Sequence, residues 1–326
     1  MGKARMGRSS RKNLILLLIL IVMAIFFSIM TDAAFNSAYN IFSIIRQSVP
    51  NVVLACAMCF VIASGSIDLS VSGTMAICGM IFGFMCLAGV NVWITMIIVI
   101  AIGAGIGILN TVIQETLKIP SIIATLATQI IFSGLAYASC RAIPINDPLL
   151  KPICVLNKAK IIGKMPIAVP IIIAVILVFI FLEKRTVVGK YAIAIGGNPN
   201  AVLFSGINII KFRMLFFIIS GALAGFAGVW QVARLGSSDP SIGTGMDFEV
   251  VAACILGGVN IKGGEGTIAG VIIGTFIIAI LKNGMQLMGI DVFYQNVMTG
   301  IVLILAVLAF SLFDMMSLRK KILTAE

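Results

Sequence analysis

The chain has 326 residues, of which 60% are hydrophobic and 11% are charged, and its mean hydropathy is +1.17. This composition excludes an ordinary soluble domain and indicates a membrane protein. The formal net charge is +11, but the basic residues cluster between apolar runs, which favours membrane topology over nucleic-acid binding as its cause.

Apolar runs in chain order predict an all-α polytopic membrane protein with about ten transmembrane helices, eight at the fewest. We expect the whole chain, 1–326, to form one transmembrane domain that includes discontinuous helices. The predicted spans are 14–30, 49–64, 70–90, 92–113, 121–138, 166–182, 214–233, 248–259, 267–288 and 293–313.

Three basic segments support an even number of spans, because all three then lie on the cytoplasmic side. They are the N-terminal segment 1–13, the central loop 186–210 with its basic flanks, and the C-terminal segment 314–326. The segment 139–165 is also basic but is predicted to lie outside. Longer loops can cross the membrane despite their charge, so this segment does not contradict an even number of spans.

The first polar interruption is GSIDLSVSG at residues 65–73, between two apolar runs. It indicates a broken helix near a transport path, since a bilayer tolerates irregular backbone and carboxylates only where protein or a water-filled cavity satisfies them. Two interpretations of Asp68 stand. Its carboxylate faces the cavity, or it caps the helix that starts near Leu69.

The central segment 186–210 contains a glycine break at Gly196 and Gly197, followed by Asn198 and Pro199. Asn as the cap and Pro at the first helical position predict the start of a short helix, which ends near Gly206. Such a helix on the inner face suits docking to a partner. The alternative is an interfacial helix that only covers the bundle.

The last third holds a second glycine-rich break, GGVNIKGGEG at residues 257–266, which predicts a tight reversal between helices. No G-x-x-x-x-G-K-[ST] sequence occurs in the chain, so we expect no ATP hydrolysis by the chain itself. Four amide side chains lie within or beside apolar helices. They are candidates for contact with a polar solute or, equally, for hydrogen bonds between helices: Asn283, Gln286, Gln295 and Asn296.

Small residues and cysteines indicate tight packing but no specific functional site. Glycine pairs spaced four apart, such as Gly103/Gly107 and Gly221/Gly225, predict tight bundling without identifying a contact. Cys56 and Cys59 have a redox or metal spacing, but they lie in an apolar run and are expected to be core thiols, and no metal site is predicted. Whether Cys140 and Cys154 pair is left open by the sequence.

Three separated motifs together resemble those of the inner-membrane permease subunits of ribose-type ATP-binding-cassette (ABC) sugar importers. They are GSIDLSV at 65–71, IGGNPNAVLFSGI at 195–207 and PSIGTGMDFEVVAACILGGVNIKGGEG at 240–266. The chain departs from the family pattern at Ser72, where glycine is usual, and at Phe248-Glu249, which inverts the usual order. The resemblance covers about residues 40 to 313.

The resemblance implies a permease in the bacterial inner membrane, with both termini cytoplasmic and no cofactor of its own. A separate ATPase would use ATP and Mg²⁺, an extracytoplasmic binding protein would deliver a ribose-like sugar, and a second permease copy or paralogue would complete the pathway. The residues implied in ATPase coupling are Gly196, Gly197, Asn198, Ala201, Ser205 and Gly206. Those implied in helix breaks are Gly65, Ser70, Glu249, Gly257, Gly258, Gly263 and Gly264.

Other functions remain as alternatives. An ABC permease could carry another small solute, such as a nucleoside, autoinducer-2, a polyol or a branched-chain amino acid. An ion-coupled secondary transporter needs acidic residues inside its spans, and Asp68 is the best candidate for that role. A membrane enzyme is disfavoured because the chain has no histidine and no paired catalytic carboxylates within a span.

Overall fold

The computed structural model describes residues 8–32, 34–161, 165–302, 304, 305 and 308. The C-terminal segment 314–326, part of the segment 1–13, and Lys164 therefore lie outside the described residues. The helices are α1 (Arg8–Met30), α2 (Ala38–Ala63), α3 (Val71–Leu87), α4 (Val92–Leu117), α5 (Ser121–Cys140), α6 (Val155–Lys158), α7 (Ala168–Arg185), α8 (Val187–Gly197), α9 (Pro199–Phe204), α10 (Ile209–Leu235), α11 (Met246–Leu256), α12 (Ile268–Leu287) and α13 (292–302).

A helix lies at the position of every predicted span, and the described residues contain no strand. Within the described part of the chain, six helices are long and apolar enough to cross a membrane, namely α1, α2, α4, α5, α10 and α12. The prediction of an all-α polytopic membrane protein is confirmed. The tenth span is described only in its first part.

Helix α2 corrects the predicted start of the second span, because it begins at Ala38 rather than at residue 49. Ser37 caps it by accepting a hydrogen bond from the Asn40 N–H at 3.2 Å. Pro50 lies inside the helix and has no N–H to donate to the carbonyl four residues earlier. That carbonyl, of Arg46, instead accepts from the Trp230 indole at 3.1 Å, so α10 compensates for the proline.

The segment 186–210 also differs from the loop that was predicted, since its first half forms α8. Thr186 caps α8 by accepting from the Val188 N–H at 3.2 Å, and the apolar side of α8 packs into the core through Ala192 and Ile195. The predicted start of the following helix is confirmed. Asn198 Oδ1 accepts from the Ala201 N–H at 3.0 Å, and Pro199 occupies the first helical position of α9.

Helix α10 packs against α2, α3 and α4, and glycines set its distance from α4. A Cβ atom added to Gly103 would lie 2.2 Å from the Gly221 carbonyl oxygen, and one added to Gly107 would lie 2.1 Å from that of Phe217. Backbones this close leave no room for side chains at the crossing. Two of the glycine pairs found in the sequence therefore face each other.

Helix α11 is a half-length helix. Its 11 residues rise roughly 16 Å, about half of a hydrocarbon core of about 30 Å. It packs on α12, where a Cβ added to Gly274 would lie 2.2 Å from the Ala253 carbonyl oxygen. The irregular segment 257–267 continues the path of the chain, in agreement with the predicted discontinuous helices.

The bundle has two distinct ends. The α9 end contains α8, α9, the break between α2 and α3, and the segment 257–267. The distal end contains the 3₁₀ helix Pro148–Cys154 and α6, and there Ile145 pairs with Ser238 through two backbone hydrogen bonds of 2.8 and 3.0 Å. Cys140 and Cys154 are both free thiols in this arrangement.

Candidate functional site

The Asp68 carboxylate is completely buried in the break between α2 and α3. Its Oδ1 accepts hydrogen bonds from the Ser70 N–H at 3.0 Å and from the Ser70 hydroxyl at 2.5 Å. Its Oδ2 accepts from the Ser220 hydroxyl at 2.7 Å. Donors of the chain itself engage both oxygens just before α3, but Asp68 is not its cap, because the N-cap residue is Ser70 and no side chain caps the helix. The carboxylate thus stabilises the irregular backbone of the break.

The hydrogen bonds around Asp68 continue into α4 and α5. Asn110 Nδ2 donates to Ser70 Oγ at 2.7 Å, and the Thr128 hydroxyl donates to Asn110 Oδ1 at 2.7 Å. The Leu69 N–H donates to the Thr125 hydroxyl at 3.1 Å. Irregular backbone in a membrane bundle requires such partners because water is not available there. Side chains of α4, α5 and α10 therefore hold the break in place.

The three glycine-rich breaks meet at one point, which we call the glycine junction: Gly65, Gly196, Gly263 and Gly264. The Gly264 N–H donates to the Ala63 carbonyl at 2.9 Å. A Cβ added to Gly196 would lie 2.0 Å from that carbonyl oxygen and 2.5 Å from the Gly264 nitrogen. Gly65, Gly263 and Gly264 have φ values of 81°, 84° and 79°, which side-chain-bearing residues rarely adopt.

The glycine junction connects α9 to the rest of the bundle. Gly196 is in the last turn of α8, and α9 follows directly. Within α9 and its cap, the Ser205 hydroxyl donates to the Ala201 carbonyl at 2.8 Å, and Gly206 has a φ of 77°. At the other side of the junction, Gly257 contacts the backbone of α12, and Gly258 turns the chain with a φ of 84°.

Two adjoining cavities of about 500 and 510 Å³ open at the α9 end. Both are lined by Glu115 of α4 and Arg213 of α10, whose side chains form an ion pair of 3.2 Å. Beside them α9 exposes Phe204 and Leu203, which are 89% and 59% accessible to solvent. This end therefore presents an apolar helix next to cavities that contain an ion pair, a surface suited to a protein partner.

The amide residues predicted for the solute pathway do not form one cluster with Asp68. Asn283 is buried and exchanges two hydrogen bonds with Asn40, of 2.8 and 2.9 Å. Gln295 is buried and donates to the Ile290 carbonyl at 2.9 Å. Gln286 and Asn296 are exposed. Asn283 thus serves as an interhelical contact near the distal end, whereas Asp68 lies toward the α9 end.

Lys282 is a charged residue that the sequence interpretation missed. It lies inside the apolar helix α12 and forms an ion pair with Glu249, in the first turn of α11. Glu249 was predicted to belong to a helix break only. The available signal was a lysine within an apolar run of 20 residues, because ionisable residues in such positions usually face a cavity or a partner.

Comparison with known proteins gives a family and several relatives. Residues 40–307 match the family described as branched-chain amino acid transport system / permease component. Ribose import permease protein RbsC of Escherichia coli (strain K12) is 33% identical over 300 residues, covering 91% of this chain and 92% of the relative. RbsC of Bacillus subtilis is 34% identical, covering 89% of each.

Xylose transport system permease protein XylH of Haemophilus influenzae is 32% identical, covering 90% of this chain and 94% of the relative. No solved structure matches the chain.

Replacement of Asp68 distinguishes a structural role in the helix break from contact with solute. Asp68→Ala leaves three donors without an acceptor, at a cost of about 1 to 3 kcal/mol for each buried group, and should lower the thermal midpoint of the purified protein. Asp68→Asn retains Oδ1 and should unfold close to the wild-type midpoint with normal uptake. Normal stability with lost uptake in Asp68→Asn would instead identify a solute contact.

Replacement of Gly196 tests the glycine junction. Gly196→Ala should destabilise the protein by about 1 to 3 kcal/mol, as overpacking does, because its Cβ meets two backbones. Gly197→Ala is the matched control, since its Cβ would approach nothing closer than 3.9 Å and both changes alter helix propensity alike. Thermal unfolding in detergent measures the difference, and equal midpoints would contradict the close contact.

Proposed function

The chain belongs to the family of permease components named for branched-chain amino acid transport systems, and on that premise we propose that it forms the pathway for a monosaccharide in an ABC importer. It is a multi-pass membrane protein and a transport subunit rather than an enzyme. The similarity to ribose import permeases over about nine-tenths of the chain carries the proposal.

The first part of the proposal is the identity of the transported solute. Relatives named for ribose and xylose favour a pentose-like sugar, with ribose as the first candidate. The description of the matched family favours a second candidate, a branched-chain amino acid. The Asp68 carboxylate is fully engaged by serine donors, which argues against the ion-coupled alternative that depended on it.

Energy would come from a separate ATPase, which binds ATP and Mg²⁺ and docks at the α9 end. The absence of a phosphate-binding loop from the sequence supports this division of labour. The exposed Phe204 supplies an aromatic anchor of the kind found at the centre of interfaces. The coupling residues are Gly196, Gly197, Asn198, Ala201, Ser205 and Gly206.

The glycine junction provides a route for rigid-body transmission. Displacement of α9 by the ATPase would move Gly196, which contacts the carbonyl at the end of α2 and the backbone before α12 without flexible side chains between them. The single transmembrane domain, residues 1–326, would respond as a unit. A second permease copy or paralogue would complete the pathway around which the two bundles alternate their opening.

We place the protein in the bacterial inner membrane with both termini and the α9 end in the cytoplasm. The basic segments 1–13, 186–210 and 314–326 support this orientation under the positive-inside rule. The distal end then faces the extracytoplasmic binding protein that delivers the solute. Lys158 and Arg141 lie at that end despite their charge.

Reconstitution tests the proposed function. The permease, its ATPase and its binding protein are placed in liposomes with ATP on the α9 side, and uptake of labelled ribose, xylose and leucine is compared. We expect sugar uptake that requires ATP and the binding protein and is insensitive to ionophores. Uptake of leucine alone would select the second candidate, and ionophore-sensitive uptake without ATPase would overturn ATP coupling.

The variant Phe204→Asp tests docking at α9. It should reduce co-purification of the ATPase by about tenfold or more, as loss of an aromatic anchor does, and should abolish ATP-dependent uptake. Ile143→Asp is the control, because Ile143 is 68% exposed and lies at the distal end. Equal recovery of the ATPase with both variants would place its docking surface elsewhere.

A further inference from the structure

A small cavity of about 180 Å³ lies between α2, α10, α11 and α12, toward the distal end of the bundle. Its polar lining includes Gln47, Asn51, Gln231, Arg234, Glu249 and Lys282. The volume is below the range of about 300 to 1,000 Å³ typical of pockets for drug-sized ligands, so the cavity suits a small solute. Neither Asp68 nor the coupling segment contributes to it.

The Glu249–Lys282 ion pair lies in the wall of this cavity. The two side chains are 14% and 27% exposed, so the bundle excludes most but not all solvent from them. A charge pair inside an apolar bundle contributes little to stability, because desolvation offsets its attraction and apolar replacements are often as stable. Ionisable residues within membrane helices therefore indicate a path for solutes or ions.

Amide groups beside the ion pair have hydrogen-bonding capacity left over. Among the residues that the structure describes, Asn51 Oδ1 is buried without a hydrogen-bond partner, and Asn51 Nδ2 reaches Glu249 at 3.5 Å. Gln231 Oε1 accepts from Arg234 at 2.8 Å, and Gln231 Nε2 contacts the Met246 sulfur at 3.8 Å. Unused acceptors and donors thus lie side by side, as a ligand with several hydroxyl groups requires.

The lining also includes the apolar residues Ile44, Met246 and Ala279. A sugar ring has hydroxyl edges and a face of C–H groups, so it fits a cavity that offers both polar and apolar contacts. A branched-chain amino acid could pair its ammonium and carboxylate groups with Glu249 and Lys282, but its apolar side chain has no hydroxyl group for the amides of Asn51 and Gln231. The lining therefore favours a neutral polyhydroxylated solute.

The cavity has a neighbour on the side of the distal end. A second cavity of about 380 Å³ adjoins it, since both are lined by Gln47 and Arg234. The outer cavity is polar and includes Arg46, Asn157 and Lys158. Under the orientation proposed above, it opens toward the side from which the solute arrives.

We propose that the cavity at Glu249 and Lys282 is a transient binding site for a monosaccharide, whose hydroxyl groups bridge the ion pair and the amides of Asn51 and Gln231. This proposal rests on the proposed function, which supplies the orientation of the cavity in the membrane and the class of its solute. Lys282 donates to a sugar oxygen, and Glu249 accepts from a sugar hydroxyl. The unused amide atoms of Asn51 and Gln231 form hydrogen bonds with hydroxyl groups of the same ring.

Ligand protection of the purified full-length chain tests the site without the ATPase. Ribose should raise the thermal midpoint by about 2 °C or more at saturation, because a ligand that binds only the folded state stabilises it. The neutral double variant Glu249→Gln/Lys282→Met should lose this rise. Lys151→Met, which removes a lysine outside the cavity, should keep it. A rise that is equal in all three proteins would overturn the site.

Uptake by the reconstituted complex separates solute contact from a purely structural ion pair. The swap Glu249→Lys/Lys282→Glu restores opposite charges, so a structural role predicts recovery of both the thermal midpoint and uptake. Our proposal predicts recovery of the midpoint while ribose uptake remains about tenfold reduced. Recovery of uptake by the swap would overturn the proposal.

Asn51→Leu provides a second test should the charge variants fail to fold. It removes an unpartnered acceptor and should fold, while uptake and ribose protection fall. Wild-type uptake in this variant would contradict the site. Ribose protection without ATP-driven uptake in the wild type would retain the site and reject the proposed function.

Discussion

The close approach of Gly196 to the Ala63 carbonyl and to Gly264 is the constraint on which the arrangement of the α9 end depends. Three polar breaks that are distant in sequence meet there as bare backbone, and the Gly264 N–H satisfies the carbonyl at the end of α2. Because backbone contacts do not yield as side chains do, α8, the break after α2 and the segment before α12 must keep a fixed relation. A partner that moves α9 therefore acts on the bundle through a rigid connection.

Two sets of polar groups inside the bundle differ in how many of their hydrogen-bonding atoms have partners. Around Asp68, donors from Ser70, just before α3, and from Ser220 of α10 meet both carboxylate oxygens. The Arg46 carbonyl, left without its helical donor by Pro50, accepts from Trp230. These groups stabilise irregular backbone where water is excluded. Glu249 and Lys282 differ, since their ion pair borders a cavity and neighbouring amide atoms remain unused. The combination of an ion pair, a cavity and unused amide atoms distinguishes this place from the surroundings of Asp68.

Several features could be predicted from the residues because they depend on local chemistry. Apolar runs located the helices, and the cap and proline at Asn198 and Pro199 located the start of α9. The first half of α2 was missed because its polar residues and Pro50 are compatible with a helix only when α10 supplies a donor. Helix α8 was missed because its glycines indicated a loop, whereas they serve the close contact at the junction.

The sequence by itself determined the class of the protein, the positions of its long apolar helices and the motifs of its family, since hydrophobic length and helix caps act over a few residues. Only the tertiary structure decided which groups meet. It paired Asn283 with Asn40, surrounded Asp68 with serine donors and placed Lys282 opposite Glu249. Each of these contacts joins helices far apart in the chain, and the helix packing that selects them depends on the close fit of many surfaces at once.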